Sequence, residues 1–392
     1  MQKDSRIDKM ARIIARHALS VKPGEKVLIE ATDDCDALII AVIRSVNEVG
    51  GIPIVQHESL PVRRAWLMGA TEGHLQTWYE SSLSIRGDIQ CLLSLRGQDN
   101  RSELADVPAE TMRRYNNLTI KLGQAMRRPG FRKTVIRYPS KSLAQQCGMS
   151  TEAFADHFYR VCAMNFQRLH REMEPLKNAI DQAEEVRIVA PGTDLSFSIR
   201  DLQCSISAGT WNIPDGETAM QIVRDSVEGH ITYNVPSSYQ GYVFHGIRLT
   251  FSRGKIVNAE ANDKPRIEAI LDSDEGARYI GEFAVGVNPF LRRHMIDTLF
   301  DEKMAGSLHF TPGGTAADGT RSLVHWDIVQ SHLKHYGGGE ISLDGRLWRK
   351  DGEFVDEHMQ GLNPDNLLQT LESLDSDYPD WLKPSVTEVS PL

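Results

Sequence analysis

The chain has 392 residues, 41% hydrophobic and 25% charged, enough to bury more than the one core at which single domains stop growing. A formal net charge of −9, with no run of Lys or Arg longer than a pair, excludes the basic surface that nucleic acid or an acidic membrane requires. Five scattered cysteines without a Cys-x-x-Cys pair read as reduced thiols of a cytoplasmic protein, and no stretch of about 18 apolar residues offers a membrane span.

Over residues 5–19, directly after Met1-Gln2-Lys3-Asp4 and with no apolar leader, Ile7, Met10, Ile13 and Ile14 recur at helical spacing. Pro23-Gly24 breaks this helix ahead of a strand over 26–30. Asp33, Asp34 and Asp36 offer N-caps for a helix that stops at Gly50-Gly51, and a strand over 52–55 follows. Strand, helix and strand within about 30 residues make a βαβ unit with a parallel, right-handed crossover. Runs at 91–95 and 133–137 extend the same sheet. No glycine-rich phosphate loop follows the first strand; Ala31-Thr32-Asp33-Asp34 stands there, and its acids repel phosphate, which excludes a dinucleotide site. One or two helices over 150–183, capped at Ser150, close an N-terminal α/β domain spanning 1–184.

From Glu185 the pattern turns to short alternating strands, with a hairpin turn at Ser252-Arg253-Gly254-Lys255. Residues 185–392 are expected to form an α+β, strand-rich C-terminal domain. Pro214-Asp215-Gly216 is a turn that delivers Glu217. Residues 273–280 read as a short helix before a strand that opens with Glu282, a carboxylate that is costly to bury beside Phe283, Ala284 and Val285 unless a positive group meets it. In Leu323-Val324-His325-Trp326-Asp327 the two polar residues lie two apart on a strand and share a face, an imidazole and a carboxylate of the kinds that bind zinc, manganese, cobalt or iron. His309, on the strand-like Ser307-Leu308-His309-Phe310, is a third candidate ligand, brought alongside by the turn-rich Gly313–Gly319 segment. His332 and His335 have metal-compatible spacing, but beside Lys334 and Gly337-Gly338-Gly339 they read as a solvated loop.

Ile213-Pro214-Asp215-Gly216-Glu217, Ile280-Gly281-Glu282-Phe283-Ala284, Asp301-Glu302-Lys303 and Ser322-Leu323-Val324-His325-Trp326-Asp327 together resemble the metallo-aminopeptidase family of aminopeptidase T, aminopeptidase S and PepS. The resemblance extends to Arg137-Tyr138-Pro139 and Gly148-Met149-Ser150-Thr151-Glu152. It implies a catalytic C-terminal half, a homodimer, two divalent metals (zinc, cobalt or manganese) on Glu217, Glu282, His309, His325 and Asp327, and peptide substrates hydrolysed from the amino end. Glu302, outside that ligand set, is the candidate proton shuttle. Where the family carries a tyrosine, seven residues after His309, this chain has Ala316. The alternative, from a distant branch of the same fold, is a 2,5-dihydroxypyridine dioxygenase with one iron(II) on His309, His325 and Asp327. A catalytically idle binding scaffold is the third.

Overall fold

A computed structural model describes residues 4–373. Among the described residues the chain divides into two compact units, one of residues 4–163 with 209–213, the other of 164–208 with 214–373. The proposed cut at 184 follows the change in strand texture. The division by packing falls earlier, because helix Phe166–Asp181 lies against the strands Ser205–Ser207 and Glu217–Met220.

The first unit is built on a five-stranded parallel sheet, in the order Ile52–Glu58, Lys26–Asp33, Cys91–Gly97, Arg132–Arg137, Asn212–Ile213. Val27, Ile29, Cys91, Leu93, Leu95 and Ile136 form one wholly buried face, the apolar run that a covered parallel sheet demands. The expected βαβ unit is present, with its helix over Asp36–Glu48. Its N-cap is Cys35, and no acidic side chain caps it. Asp33, at φ 52°, instead accepts hydrogen bonds from the Leu60 and Asp99 amides, tying together loops at the carboxyl end of the sheet. Helices Leu60–Met68, Glu72–Gly87 and Ala109–Ala125 share a small core of Leu67, Leu75 and Val107 with Trp66 and Tyr115.

The second unit is antiparallel and strand-rich. An eight-stranded sheet includes the hairpin Arg248–Ser252/Lys255–Glu260, whose turn residues Arg253 and Gly254 both have positive φ, as a two-residue hairpin turn requires. A second sheet runs in the order Arg321–His325, Ser307–Thr315, Ile280–Gly286, Glu217–Met220, Ser205–Ser207, and Val329–Ser331 also pairs with Ser307–Thr315. The helix expected at 273–280 is a series of turns. The helix lies earlier, at Lys264–Leu271, where Asp263 caps it and Pro265 sits in its first turn.

Register divides the two faces of this second sheet by chemistry. Glu217 pairs with Gly286, Ala219 and His309 both pair with Ala284, and Thr311 pairs with Glu282, so these residues share one face. The other face carries Phe283 and Phe310, which meet Phe197 of the eight-stranded sheet with ring centroids 5.0 Å away in each case. Phe251 closes the cluster 5.8 Å from Phe310. The aromatic layer thus fixes the strands whose opposite side bears the polar residues. Replacing Phe310 by Ala should cost about 3–5 kcal/mol of stability, read as a lowered urea midpoint. A shift under 1 kcal/mol would mean that this layer does not hold the sheets together.

Candidate metal centre

Strand geometry and small neighbours create the site. Ala284 and Gly286 leave room on the polar face between Glu217, Glu282 and His309. Gly286 does more: a Cβ there would lie 2.5 Å from the Met304 carbonyl oxygen and 2.7 Å from that of Glu302. Its absence lets the Glu302-Lys303-Met304 backbone rest directly on the sheet, where the Asn288 amide donates to the Lys303 carbonyl at 2.9 Å. Gly314, at φ 76°, has the His325 ring 2.9 Å from its missing Cβ, so any side chain there would push the imidazole away.

Glu217, Glu282, His309 and His325, from four strands, and Asp327, from the irregular residues 326–328 after the strand that ends at His325 rather than from that strand as expected, meet in two adjoining clusters. Glu217, Glu282 and His309 form one, Glu282, His325 and Asp327 the other, and within each the potential ligand atoms lie within 4.8 Å of one another. Glu282 belongs to both. His309 Nε2 is 3.3 Å from Glu282 Oε1, and His325 Nε2 is 3.2 Å from Asp327 Oδ1. Asp327 Oδ1 also accepts from the Thr311 hydroxyl at 2.8 Å. Between His325 and Asp327, Trp326 is fully buried, its indole N–H donating to Ser237 at 2.8 Å and its ring stacked on Tyr239. This anchor keeps the two flanking side chains on the open face.

The donor set fits a divalent cation by a local criterion. Glu217 Oε2 and His309 Nδ1 are buried, have no hydrogen-bond partner, and face each other at 3.7 Å. Two donors bonded to one ion at 2.0–2.2 Å in a tetrahedral arrangement stand roughly 3.4 Å apart. Buried polar atoms are rarely left orphaned, so a shared cation is the simplest occupant of that gap.

Glu302 and Lys303 lie beside these clusters. Glu302, the candidate proton shuttle, is 5% exposed at the C-cap of the short helix Thr298–Asp301. Lys303, fully buried, is the residue that sequence reasoning passed over. Its ammonium group bonds Glu217, lies 2.7 Å from Glu302 Oε1 and 3.9 Å from Asp215 Oδ1. Ala316 is buried at the end of the Ser307–Thr315 strand, where its backbone bonds Thr320 and Gly319. His335 is exposed, as expected of a loop. His332 is not: it is fully buried with Nε2 2.9 Å from Gln330 Oε1, and the bare Gly339 makes room for its ring. Neither histidine joins the clusters.

The family can now be read from the comparisons. The profile of the thermophilic metalloprotease (M29) family matches residues 3–338. The chain belongs to this family. Among curated relatives, aminopeptidase AmpS of Bacillus subtilis is 26% identical over 204 residues, 46% of this chain and 49% of its own. Aminopeptidase T of Thermus thermophilus is 32% identical over 34% of this chain and 36% of its own. Aminopeptidase 2 of Geobacillus stearothermophilus is 35% identical over 36% and 37%. These matches span half or less of each relative's length. Wild-type AmpT from Thermus thermophilus superposes with a TM-score of 0.76 at 20% identity, covering 90% of this chain and 99% of that one. The 2,5-dihydroxypyridine dioxygenase of Pseudomonas putida KT2440 has a TM-score of 0.55 at 11% identity, covering 91% and 99%. Both structures establish a shared fold, and the M29 family is one of metalloproteases.

Charge in the metal-free protein is set by this crowding. Burial works against the His309 imidazolium, but the Glu217 and Glu282 carboxylates outweigh it and raise its pKa to about 10. Asp327 raises His325 to about 9. The ring of His325 is 53% exposed, so solvent screens this pair and it lends less stability than the buried His309. Burial opposes ionisation of Asp327, yet His325, His309 and Thr311 hold it well below the usual carboxylate range. Burial lifts Glu302 to about 8 against the pull of Lys303. Two histidines with raised values contribute stability that is complete below about 6.5 and lost as pH rises through 9 and 10. Glu302, ionised above about 4.3 in the unfolded chain but held protonated to about 8 in the folded one, removes stability between those two values, in the same direction. Asp327 contributes above about 3.9 and is lost only in strong acid. The metal-free protein should therefore melt at a lower temperature at pH 9.5 than at pH 6, and Asp327→Asn should flatten that slope. Imidazole ligands bind metal only when neutral, so loading at pH 7 should expel about two protons per chain, measured calorimetrically in buffers of different ionisation enthalpy. Release of none, with about two ions bound, would mean that the imidazoles are already neutral in the metal-free protein.

Proposed function

We propose that this protein is a metal-dependent aminopeptidase that releases amino-terminal residues from short peptides, acting as a cytoplasmic homodimer. The observation that carries this reading is the pair of adjoining clusters joined through Glu282. Glu217 and His309 would hold one ion, His325 and Asp327 the other, and Glu282 would lie between them. A pair of divalent ions (zinc, cobalt or manganese) supplies an ionised water at neutral pH and polarises the scissile carbonyl.

The chain's own groups do the rest. Lys303 fixes Glu217 and Glu302 in place and offsets their charge. Glu302, buried with one oxygen on Lys303 beside the two clusters, is the carboxyl group placed to carry a proton to a departing amine. Asp327 is oriented by Thr311, and His325 by the buried Trp326 beside it. Tyr239, whose phenol burial keeps protonated, stands beside the His325 backbone and is a donor candidate where Ala316 replaces tyrosine. A single facial triad on one iron is less well supported, since His309 and His325 fall in different clusters.

Protein reloaded with cobalt or manganese should release leucine from leucyl peptides and bind about two ions per chain by elemental analysis. Glu302→Gln should lower kcat by about 10²–10⁴-fold with metal content retained, whereas Glu282→Gln should lose both metal and activity. One iron per chain, with oxygen uptake and no amino-acid release, would overturn the proposal.

A further inference from the structure

The strand Arg321–His325 presents a stripe that leads out of the metal centre. Alternate residues share a face, so Arg321, Leu323 and His325 point the same way while Ser322 and Val324 face inward. Exposure rises along that face, from Asp327 at 15% and His325 at 53% to Leu323 at 59% and an exposed Arg321. Leu323 is a large apolar side chain open to solvent two residues from a candidate ligand. Arg321 carries no ion pair among the described residues, in a protein whose net charge is −9. The strand is also held rigid. Asp274 Oδ2 accepts from the Leu323 amide at 2.8 Å and the Ser322 hydroxyl at 2.9 Å, and its Oδ1 accepts from the Gly276 amide at 3.0 Å.

From these observations, and resting on the aminopeptidase reading, we propose that this face is a substrate rail for di- and tripeptides bearing a free C-terminal carboxylate. Leu323 contacts the side chain that follows the scissile bond, and the Arg321 guanidinium takes the carboxylate. The dimensions agree. Four residues of strand separate the Cα atoms of His325 and Arg321 by about 13 Å. An extended tripeptide spans about 10 Å, and an arginine side chain reaches over the difference. A guanidinium is the donor best matched to a carboxylate, which it can hold through two parallel hydrogen bonds. Longer peptides place their carboxylate beyond this group and gain nothing from it.

The test compares Leu-Gly-Gly with its C-terminal amide and with a leucyl pentapeptide in the metal-loaded full-length enzyme. The wild type should favour the free tripeptide over its amide by about tenfold or more in kcat/KM, chiefly through KM. Arg321→Ala should collapse that ratio towards one, Arg321→Lys should keep part of it, and Leu323→Asp should raise KM for Leu-Leu-Gly above that for Leu-Gly-Gly. Calorimetric binding of the tripeptide to Glu302→Gln protein, with and without Arg321→Ala, gives a readout that does not need turnover and should show the same loss of affinity. A wild-type ratio near one, or a ratio that survives Arg321→Ala in protein with an unchanged melting temperature, overturns the rail and leaves the aminopeptidase reading standing. Failure of the metal-loaded wild type to cleave any of the three peptides overturns the aminopeptidase reading itself.

Discussion

Carboxyl groups of Asp215, Glu217, Glu282, Glu302 and Asp327 crowd a small volume in which the Lys303 ammonium pairs with three of them, Asp215, Glu217 and Glu302. Like charges at such spacing and burial repel strongly, and the desolvation of each adds to the cost. The fold tolerates them because cations arrive from three directions: the buried ammonium of Lys303, and the imidazoles of His309 and His325, which the carboxylates keep protonated in the metal-free protein. Divalent ions would replace the two imidazolium protons with more charge in the same place. The excess of negative charge is thus a binding energy held in reserve, and metal affinity and stability are two readings of one electrostatic demand.

Such a demand can be met only if the side chains cannot relax away from one another. Each candidate ligand sits in or directly after a strand of one sheet whose other face is locked by Phe197, Phe251, Phe283 and Phe310. Gly286 admits the backbone that carries Glu302 and Lys303, and Gly314 admits the His325 ring. Preorganisation here means that aromatic packing on one side holds charged groups together on the other, which is why damage to the aromatic layer and damage to the site should not be separable.

Legibility in the sequence followed the range of the interactions. The period of two in Leu323–Asp327 was enough to bring His325 and Asp327 together with Trp326 buried behind, although the strand itself ends at His325 and Asp327 follows it in irregular chain. The parallel βαβ order of the first half was likewise local. Asp33 was misjudged as a helix cap because its partners, the Leu60 and Asp99 amides, come from loops after other strands. Helices over 60–125 were missed for a related reason: their apolar residues serve a small core of their own and make only a narrow stripe. His332 was taken for a solvated residue by its charged and glycine neighbours, yet Gly339 leaves the hole into which its ring packs.

Lys303 is the instructive omission. In sequence, Asp301-Glu302-Lys303 is a hydrophilic triplet of the sort that covers surfaces, and nothing within ten residues says otherwise. Its burial depends on Gly286, seventeen positions away, where a single missing methyl lets two backbones touch. A buried lysine would ordinarily lose its proton, but here Glu217, Glu302 and Asp215 hold it charged against the cost of burial. Truncating it to Met would leave those carboxylates unpaired, at about 3–5 kcal/mol by analogy with other broken buried pairs. The same truncation would free Glu217 and Glu302 from their common anchor. The lysine therefore couples the geometry of a candidate ligand to the protonation of the candidate acid, so that neither can be tuned without moving the other.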